Sequence, residues 1–290
     1  MKILYGKPVV EERYTRLQTK INTLATHNII PTLAVILIGH RRDSQTYVKM
    51  KQQRCDQLGI QSLVITLPEN VSENVCIEHV QRLNHDETVH GILIQLPLPS
   101  HINEDRVLQR VKVCKDVDGF TTENISKLVL HTNPVFCPCT PEGCLQLLHH
   151  YNYELQGKHA VVIGRSRIVG VPLAHLLLNH NATITICHSK TTNIEQITQK
   201  ADFLFVACGK PLFVKKEMVK KGAVIIDIGI NAIEDSSKKR GYSLVGDVDR
   251  CDVAEVASAI TPVPKGVGPL TICMLMEHTV KAAEMNGRKR

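Results

Sequence analysis

The first half of the chain alternates short apolar runs, at residues 33–38, 63–67 and 91–94, with longer stretches whose apolar residues recur three and four positions apart. Short apolar runs bounded by turn residues read as strands buried on both faces, and the longer periodic stretches as the helices that cover them. Strands separated by helices of that length form right-handed βαβ units in a mostly parallel sheet. The same alternation resumes at 159–163, 183–187, 203–207 and 223–228, so two sheets are predicted. Residues 115–141 between them carry no strong periodicity. Thr140, Pro141 and Glu142 then read as an N-cap with proline in the first turn, opening a helix through Leu148. After Pro269 one last amphipathic helix is predicted to about Met285, able to pack on either half. The pattern implies an α/β protein of two domains with the boundary near residue 120.

Composition supports this and narrows the function. Apolar residues make up 43% of the 290 but aromatics only 4%, with no Trp, which excludes disorder and favours α/β over an all-β sandwich. The formal charge of +7 comes from 35 basic and 28 acidic residues. The basic residues are scattered apart from 238–240 and 288–290, with no basic stripe interleaved with aromatics. No nucleic-acid partner is expected, and small anionic ligands suit the charge better. Ten cysteines lie between Cys55 and Cys273; with no leader-like start, reduced thiols and a cytoplasmic location are expected. Cys137, Cys139 and Cys144 lack the paired spacing of structural zinc sites, so no metal is expected. No apolar stretch is long enough to span a bilayer, so no membrane association is expected.

The segment 159–170 is a short apolar strand followed by Gly164, Arg165, Ser166, Arg167, Ile168, Val169 and Gly170. Such a turn presents backbone N–H groups at a helix N-terminus, where the dipole favours a pyrophosphate. The first glycine permits the tight turn, and Gly170 lets the helix approach the sheet. An NAD site places a carboxylate about 20 residues after the glycines for the ribose 2′-hydroxyl. Here no Asp or Glu occurs between Arg165 and Ile194, and the second strand ends in His188, Ser189 and Lys190. That lining, with Arg165 and Arg167, would accept a 2′-phosphate, and the expected cofactor is NADP.

A second constellation lies in the first half. Residues 43–60 read as a helix with Asp43 or Ser44 as N-cap and Gly59 at its end, and Tyr47, Lys51, Cys55 and Leu58 fall on one face. Lys51 thus stands in an inward seam; a lysine with its stem packed and its amine reaching solvent would show the same spacing. Gln95 ends an apolar strand, at the carboxyl edge where open α/β sheets bind ligands, although a polar strand cap would look alike. Asp116 and Asp118 flank Val117 before Gly119, where an aspartate often caps its own turn.

The segments YVKMK at 47–51, GILIQLPLP at 91–99, KDVDGF at 115–120, PCTP at 138–141, GRS at 164–166, CHS at 187–189, GDV at 246–248 and ITPVP at 260–264 occur in this order over nearly the whole chain. In these the sequence resembles the bifunctional methylenetetrahydrofolate dehydrogenase/cyclohydrolase (FolD) family. The resemblance implies an N-terminal α/β folate-site domain over 1–120 plus 270–290 and a Rossmann-type NADP-binding domain over 121–269, both with parallel sheets. It implies a catalytic set of Lys51 with Tyr47 stacking near the folate, Gln95 supporting the lysine and Asp118 gripping the pterin. Pro264 and Gly268 would also meet the folate substrate, and Gly164, Arg165, Ser166, His188, Ser189 and Ile230 the NADP. A homodimer is implied as well, with the last helix returning to the first domain. Two departures stand out: His40, Arg41 and Arg42 occupy a turn where the family has acidic and small residues, and Lys265 replaces a usual glycine.

Overall fold

A computed structural model describes residues 1–238 and 241–287; the basic runs at 238–240 and 288–290 therefore lie largely or wholly outside the described residues. The elements run β1 (Lys2–Ile3), α1 (Gly6–Thr26), β2 (Thr32–Ile38), α2 (Arg42–Leu58), β3 (Gln61–Leu67), α3 (Glu73–His85), β4 (Gly91–Ile94), α4 (Glu104–Leu108), α5 (Thr122–Val129) and α6 (Cys139–His150). They continue with β5 (His159–Ile163), α7 (Gly170–Asn179), β6 (Thr183–Cys187), α8 (Ile194–Thr198), β7 (Phe203–Val206), β8 (Val224–Asp227), β9 (Asn231–Glu234), β10 (Tyr242–Val245), α9 (Arg250–Val253), β11 (Ala259–Ile260) and α10 (Gly268–Gly287). The chain divides into two compact units: residues 12–139 with 272–290, and residues 1–11 with 140–271.

The first of these is built on a parallel sheet of order β3-β2-β4, in which Val35 pairs with Val64 on one side and Leu93 on the other. Every residue of β2 is buried, as its uninterrupted apolar run requires of a central parallel strand. Ala34, Ile36, Ile92 and Ile94 pack against Cys76, Val80 and Leu83 of α3. The Ser72 hydroxyl caps α3 at its start by accepting from the Val75 N–H. At its end the buried Lys115 donates to the carbonyls of Leu83 (2.8 Å) and Asp86 (2.6 Å), setting a cation on carbonyls that the helix cannot satisfy itself. The last helix is clamped to α1 by a two-pronged Arg13–Glu277 pair with both contacts at 2.7 Å, the fork geometry in which guanidinium and carboxylate match best.

The second unit carries a parallel sheet of order β1-β11-β8-β7-β5-β6. Its core joins Val161, Ile163, Leu204, Val206 and Ile225 to Val253 and Ile260. Beside it β9 and β10 form an antiparallel hairpin.

Several expectations need correction. The division falls at 139/140 rather than near 120. Asn124, on the unforeseen α5, donates to the Asp116 carboxylate and accepts from the N–H groups of Val135 and Phe136, which ties residues 121–139 to what precedes them. Residues 1–11 go with the other unit because β1 pairs with β11. Three sheets are present among the described residues rather than two, the third being the hairpin. Helix α2 starts at Arg42 with Arg41 in the cap position, and Asp43, inside the first turn, accepts from the Ser44 N–H. Thr140 lies within α6, which begins at Cys139 and runs to His150; its hydroxyl meets that of Thr271 at 2.9 Å. Helix α10 opens at Gly268, ahead of Pro269.

Candidate functional site

Within the first unit, helix α2 and the end of β4 bring Lys51 and Gln95 together. Lys51 Nζ donates to Gln95 Oε1 at 3.0 Å, and Gln95 Nε2 donates to the Leu96 carbonyl at 2.8 Å, so the amide is oriented with its oxygen toward the amine. Burial pulls the Lys51 pKa below the ordinary lysine value, while the charge of Asp118 opposes the shift. The amide accepts the amine's hydrogen without the charge of a carboxylate, so it orients the group and favours the ammonium less than an ion pair would. Asp118 is pushed the other way: burial raises its pKa, and the Lys51 charge restrains the rise.

The two aspartates of the DVD segment separate cleanly. Asp116 is consumed by its own turn, accepting from the N–H groups of Phe120 and Thr121, the Thr121 hydroxyl and the Asn124 amide at 2.7–3.1 Å. Asp118 is the carboxylate whose charge couples to Lys51. Tyr47 departs from the expected seam. The buried residues of α2 are Ser44, Val48, Cys55 and Leu58, and Tyr47 is 37% exposed. The unusual Arg41 is bound by Asp43 through two contacts of 2.7 and 3.2 Å, so much of its charge is balanced within the turn.

The second unit holds the glycine-rich turn. Gly164 has φ +126°, donates to the Cys187 carbonyl at 2.8 Å, and would drive a Cβ into the Ala207 carbonyl group. At Gly170 a Cβ would come within 2.6 Å of the Gly164 carbonyl carbon, so each glycine permits a backbone approach that no side chain allows. Ser166 accepts from the N–H groups of Val169 (3.2 Å) and Gly170 (3.3 Å), so the serine occupies donors that the sequence pattern assigned to a pyrophosphate. After β6, His188 Nδ1 accepts from the Lys190 N–H, and the Thr191 hydroxyl accepts from the His188 N–H. This closed turn leaves Ser189 and Lys190 exposed at its tip. With exposed Arg165 and Arg167 and no acidic residue up to Ile194, the donor set fits a nucleotide bearing a 2′-phosphate.

Sequence reasoning missed the support beneath this edge. Asp227 accepts from the N–H groups of Gly229, Asp247 and Val248. Asp247 accepts from those of Cys208 and Gly209 and from the Asn231 amide. These bonds fix both flanks of Ile230, which stays 42% exposed, and Gly268 faces its Cδ1 at 3.7 Å from an added Cβ. Burial, with the nearby Asp247 charge, pushes the Asp227 pKa up to about 7, against the backbone donors. Pro264 is exposed. Lys265 has φ +90°, a left-handed conformation that costs a non-glycine residue about 1–3 kcal/mol.

A shift toward NAD is expected for Ser189→Asp, because a carboxylate at the turn tip would repel a 2′-phosphate and accept from a 2′-hydroxyl. The ratio of NADP to NAD affinities measures it; an unchanged ratio would remove Ser189 from the site.

Comparison with known proteins covers both units. Residues 4–118 match the model of the tetrahydrofolate dehydrogenase/cyclohydrolase catalytic domain, and residues 138–287 that of the NAD(P)-binding domain of the same family. The chain is 50% identical over 287 residues to the bifunctional protein FolD of Thermodesulfovibrio yellowstonii, covering 99% of this chain and 98% of the relative. It is 49% identical to the chloroplastic bifunctional protein FolD 4 of Arabidopsis thaliana, covering 97% and 79%. The crystal structure of the bifunctional enzyme FolD from Campylobacter jejuni superposes with a TM-score of 0.94 at 45% identity, covering 98% and 99% of the two chains. The Trypanosoma brucei enzyme, solved with NADP cofactor and an inhibitor, gives 0.94 at 37% identity over 98% and 97%.

Proposed function

The chain belongs to the tetrahydrofolate dehydrogenase/cyclohydrolase family, and on that footing we infer that Lys51 is the proton shuttle of a bifunctional, NADP-dependent folate enzyme. The enzyme oxidises 5,10-methylene-tetrahydrofolate to 5,10-methenyl-tetrahydrofolate and hydrolyses that to 10-formyl-tetrahydrofolate. The observation that supports the lysine's role is its amine, depressed in pKa by burial and held by Gln95 Oε1 at 3.0 Å within range of the Asp118 charge.

A neutral amine can take a proton from the water that attacks the methenyl carbon and return it to the ring nitrogen that leaves. Gln95 keeps the amine aimed, and Asp118 is proposed to accept from the pterin N–H groups. The exposed ring of Tyr47 supports stacking on the folate, and Pro264 and Gly268 are proposed to line its loop. NADP, when bound, supplies the hydride acceptor. Gly164, Arg165, Ser166, His188, Ser189 and Ile230 are proposed to hold it.

The test is an assay of the purified chain with methylene-tetrahydrofolate and NADP. NADPH and 10-formyl product should appear together with little methenyl compound accumulating. Steady accumulation would indicate dehydrogenation alone, and absence of turnover a nucleotide-binding protein without catalysis. A homodimer is proposed from the family resemblance, and sedimentation at twice the chain mass of 32.4 kDa checks it. No helix among the described residues is long and apolar enough to cross a membrane. Cytoplasmic residence is proposed on the ten free thiols, which suit a reducing compartment.

A further inference from the structure

The Asp118 carboxylate can be no better aimed than the peptide that carries it, and that peptide is held from a remote part of the chain. Val117 is fully buried, and its carbonyl accepts from His278 Nδ1 at 2.8 Å. A carbonyl cannot donate, so Nδ1 carries the proton. His278 lies on α10, 161 residues downstream of Val117. It is 5% exposed, and its ring is tilted against that of Phe136 with centroids 5.1 Å apart. The Cys139 thiol donates to the same carbonyl at 3.3 Å and lies 3.6 Å from Nδ1. A thiol is a weak donor, so the imidazole is the stronger holder of Val117 O.

The neighbours of this peptide are fixed by other means. Asp116 is locked by four donors. Gly119, at φ +75°, is wedged so that a Cβ would fall 2.6 Å from the Cys137 carbonyl carbon. The carbonyl of Val117 and the N–H of Asp118 share one peptide plane. Without the imidazole the buried carbonyl would keep only the weak thiol donor, and rotation of that plane toward a stronger partner would swing the Asp118 side chain.

We propose that His278 is a positioning residue whose Nδ1–H, donated to the Val117 carbonyl, fixes the 117–118 peptide and thereby aims the Asp118 carboxylate at the folate substrate. The proposal rests on the assignment of Asp118 as the pterin-binding group. A histidine that merely filled space would tolerate an apolar replacement of similar size. One that merely stabilised the fold would lower folate and NADP binding together.

The experiment compares His278→Leu, His278→Asn and Asp118→Asn, reading the KM for methylene-tetrahydrofolate and the Kd for NADP. Asparagine places Nδ2 on Cγ, where the imidazole places Nδ1, and so keeps the donor while removing the ring. His278→Leu should raise the folate KM about tenfold or more with NADP affinity within about twofold of wild type, as expected for a buried carbonyl left with only a weak thiol donor. His278→Asn should bring the KM back to within about threefold of wild type. Equal impairment by Leu and Asn, parallel loss of NADP binding, or an unchanged KM in His278→Leu would overturn the proposal. If Asp118→Asn itself leaves the folate KM unchanged, the underlying assignment of Asp118 fails instead. Should His278→Leu not fold, His278→Asn decides alone: a tenfold rise in folate KM with intact NADP affinity counts against the donor.

Discussion

Lys51→Met is expected to abolish hydrolysis of methenyl-tetrahydrofolate while leaving NADP binding intact and some dehydrogenation measurable. Methionine keeps the volume of the stem but has no basic atom. General acid–base assistance contributes about 100- to 10,000-fold, so decay of the methenyl compound should fall to near its uncatalysed rate. Dehydrogenation depends chiefly on positioning two carbons and needs no such base. The lysine's environment also sets the pH dependence. Burial lowers its pKa, so more neutral amine is present near neutrality than an ordinary lysine would offer. The neutral form is the base, hence wild-type hydrolysis should rise with pH through the lowered pKa, and this rise should vanish in the methionine variant. The decisive measurement follows methenyl-tetrahydrofolate supplied directly to the variant. Decay at the wild-type rate would reduce Lys51 to a packed lysine and send the search for the shuttle elsewhere.

The elements legible in the sequence were short apolar or alternating runs bounded by turn residues. Residues 91–94 and 159–163 coincide with β4 and β5, buried but for the first residue of β5, because strands covered on both faces must be continuously apolar. Residues 183–187 coincide with β6, an edge strand only partly buried, in which apolar residues alternate with Thr. The two-residue strands β1 and β11 carry too few positions for a pattern, and their pairing joins residues far apart in the chain, so the membership of residues 1–11 could not be read locally. The hairpin of β9 and β10 is only half-buried, and its signal was correspondingly faint. Helix α5, with eight residues, escaped notice within a stretch ruled by the side-chain bonds of Asp116 and Asn124.

The site was legible to the extent that it depends on chain order. Spacing placed Gln95 at a strand's carboxyl end and Lys51 on a helix face, and their meeting was implied only by the family resemblance. Helical spacing, however, places Tyr47 only in line with Lys51, and the neighbours that decide its exposure belong to other segments. Spacing alone likewise offered no means to choose between Asp116 and Asp118, since both flank the same turn; the family resemblance pointed to Asp118, and Thr121 and Asn124 claim Asp116. His278 carried no signal at all. A single histidine in an amphipathic helix is unremarked until its partner is known to be the carbonyl beside Asp118.

Gly164→Ala should weaken NADP binding by about 100-fold or more while methenyl hydrolysis continues. Gly164 is gripped between two strand ends: its N–H donates to the carbonyl of Cys187, the last residue of β6, and a Cβ would lie 2.9 Å from the Ala207 carbonyl carbon just beyond β7. Neither neighbour is a flexible side chain. The Ala207 N–H donates to the Ile163 carbonyl at 2.8 Å, so relieving the clash requires parting β5 from β7 at the edge where the turn begins. Overpacking of this kind costs about 1–3 kcal/mol, and φ +126°, which an L-residue rarely adopts, adds about as much strain. At 1.4 kcal/mol per factor of ten, a turn that moves to escape both would account for the loss. Gly157→Ala separates the two causes, because Gly157 also has positive φ, +71°, but open space where a Cβ would stand. That control should lose a little stability and keep NADP affinity. Lys51 and Gln95 lie in the other compact unit, so hydrolysis of added methenyl-tetrahydrofolate monitors whether their fold survives. NADP binding by Gly164→Ala within about threefold of wild type would mean that the turn does not make the close backbone approach on which the cofactor assignment depends.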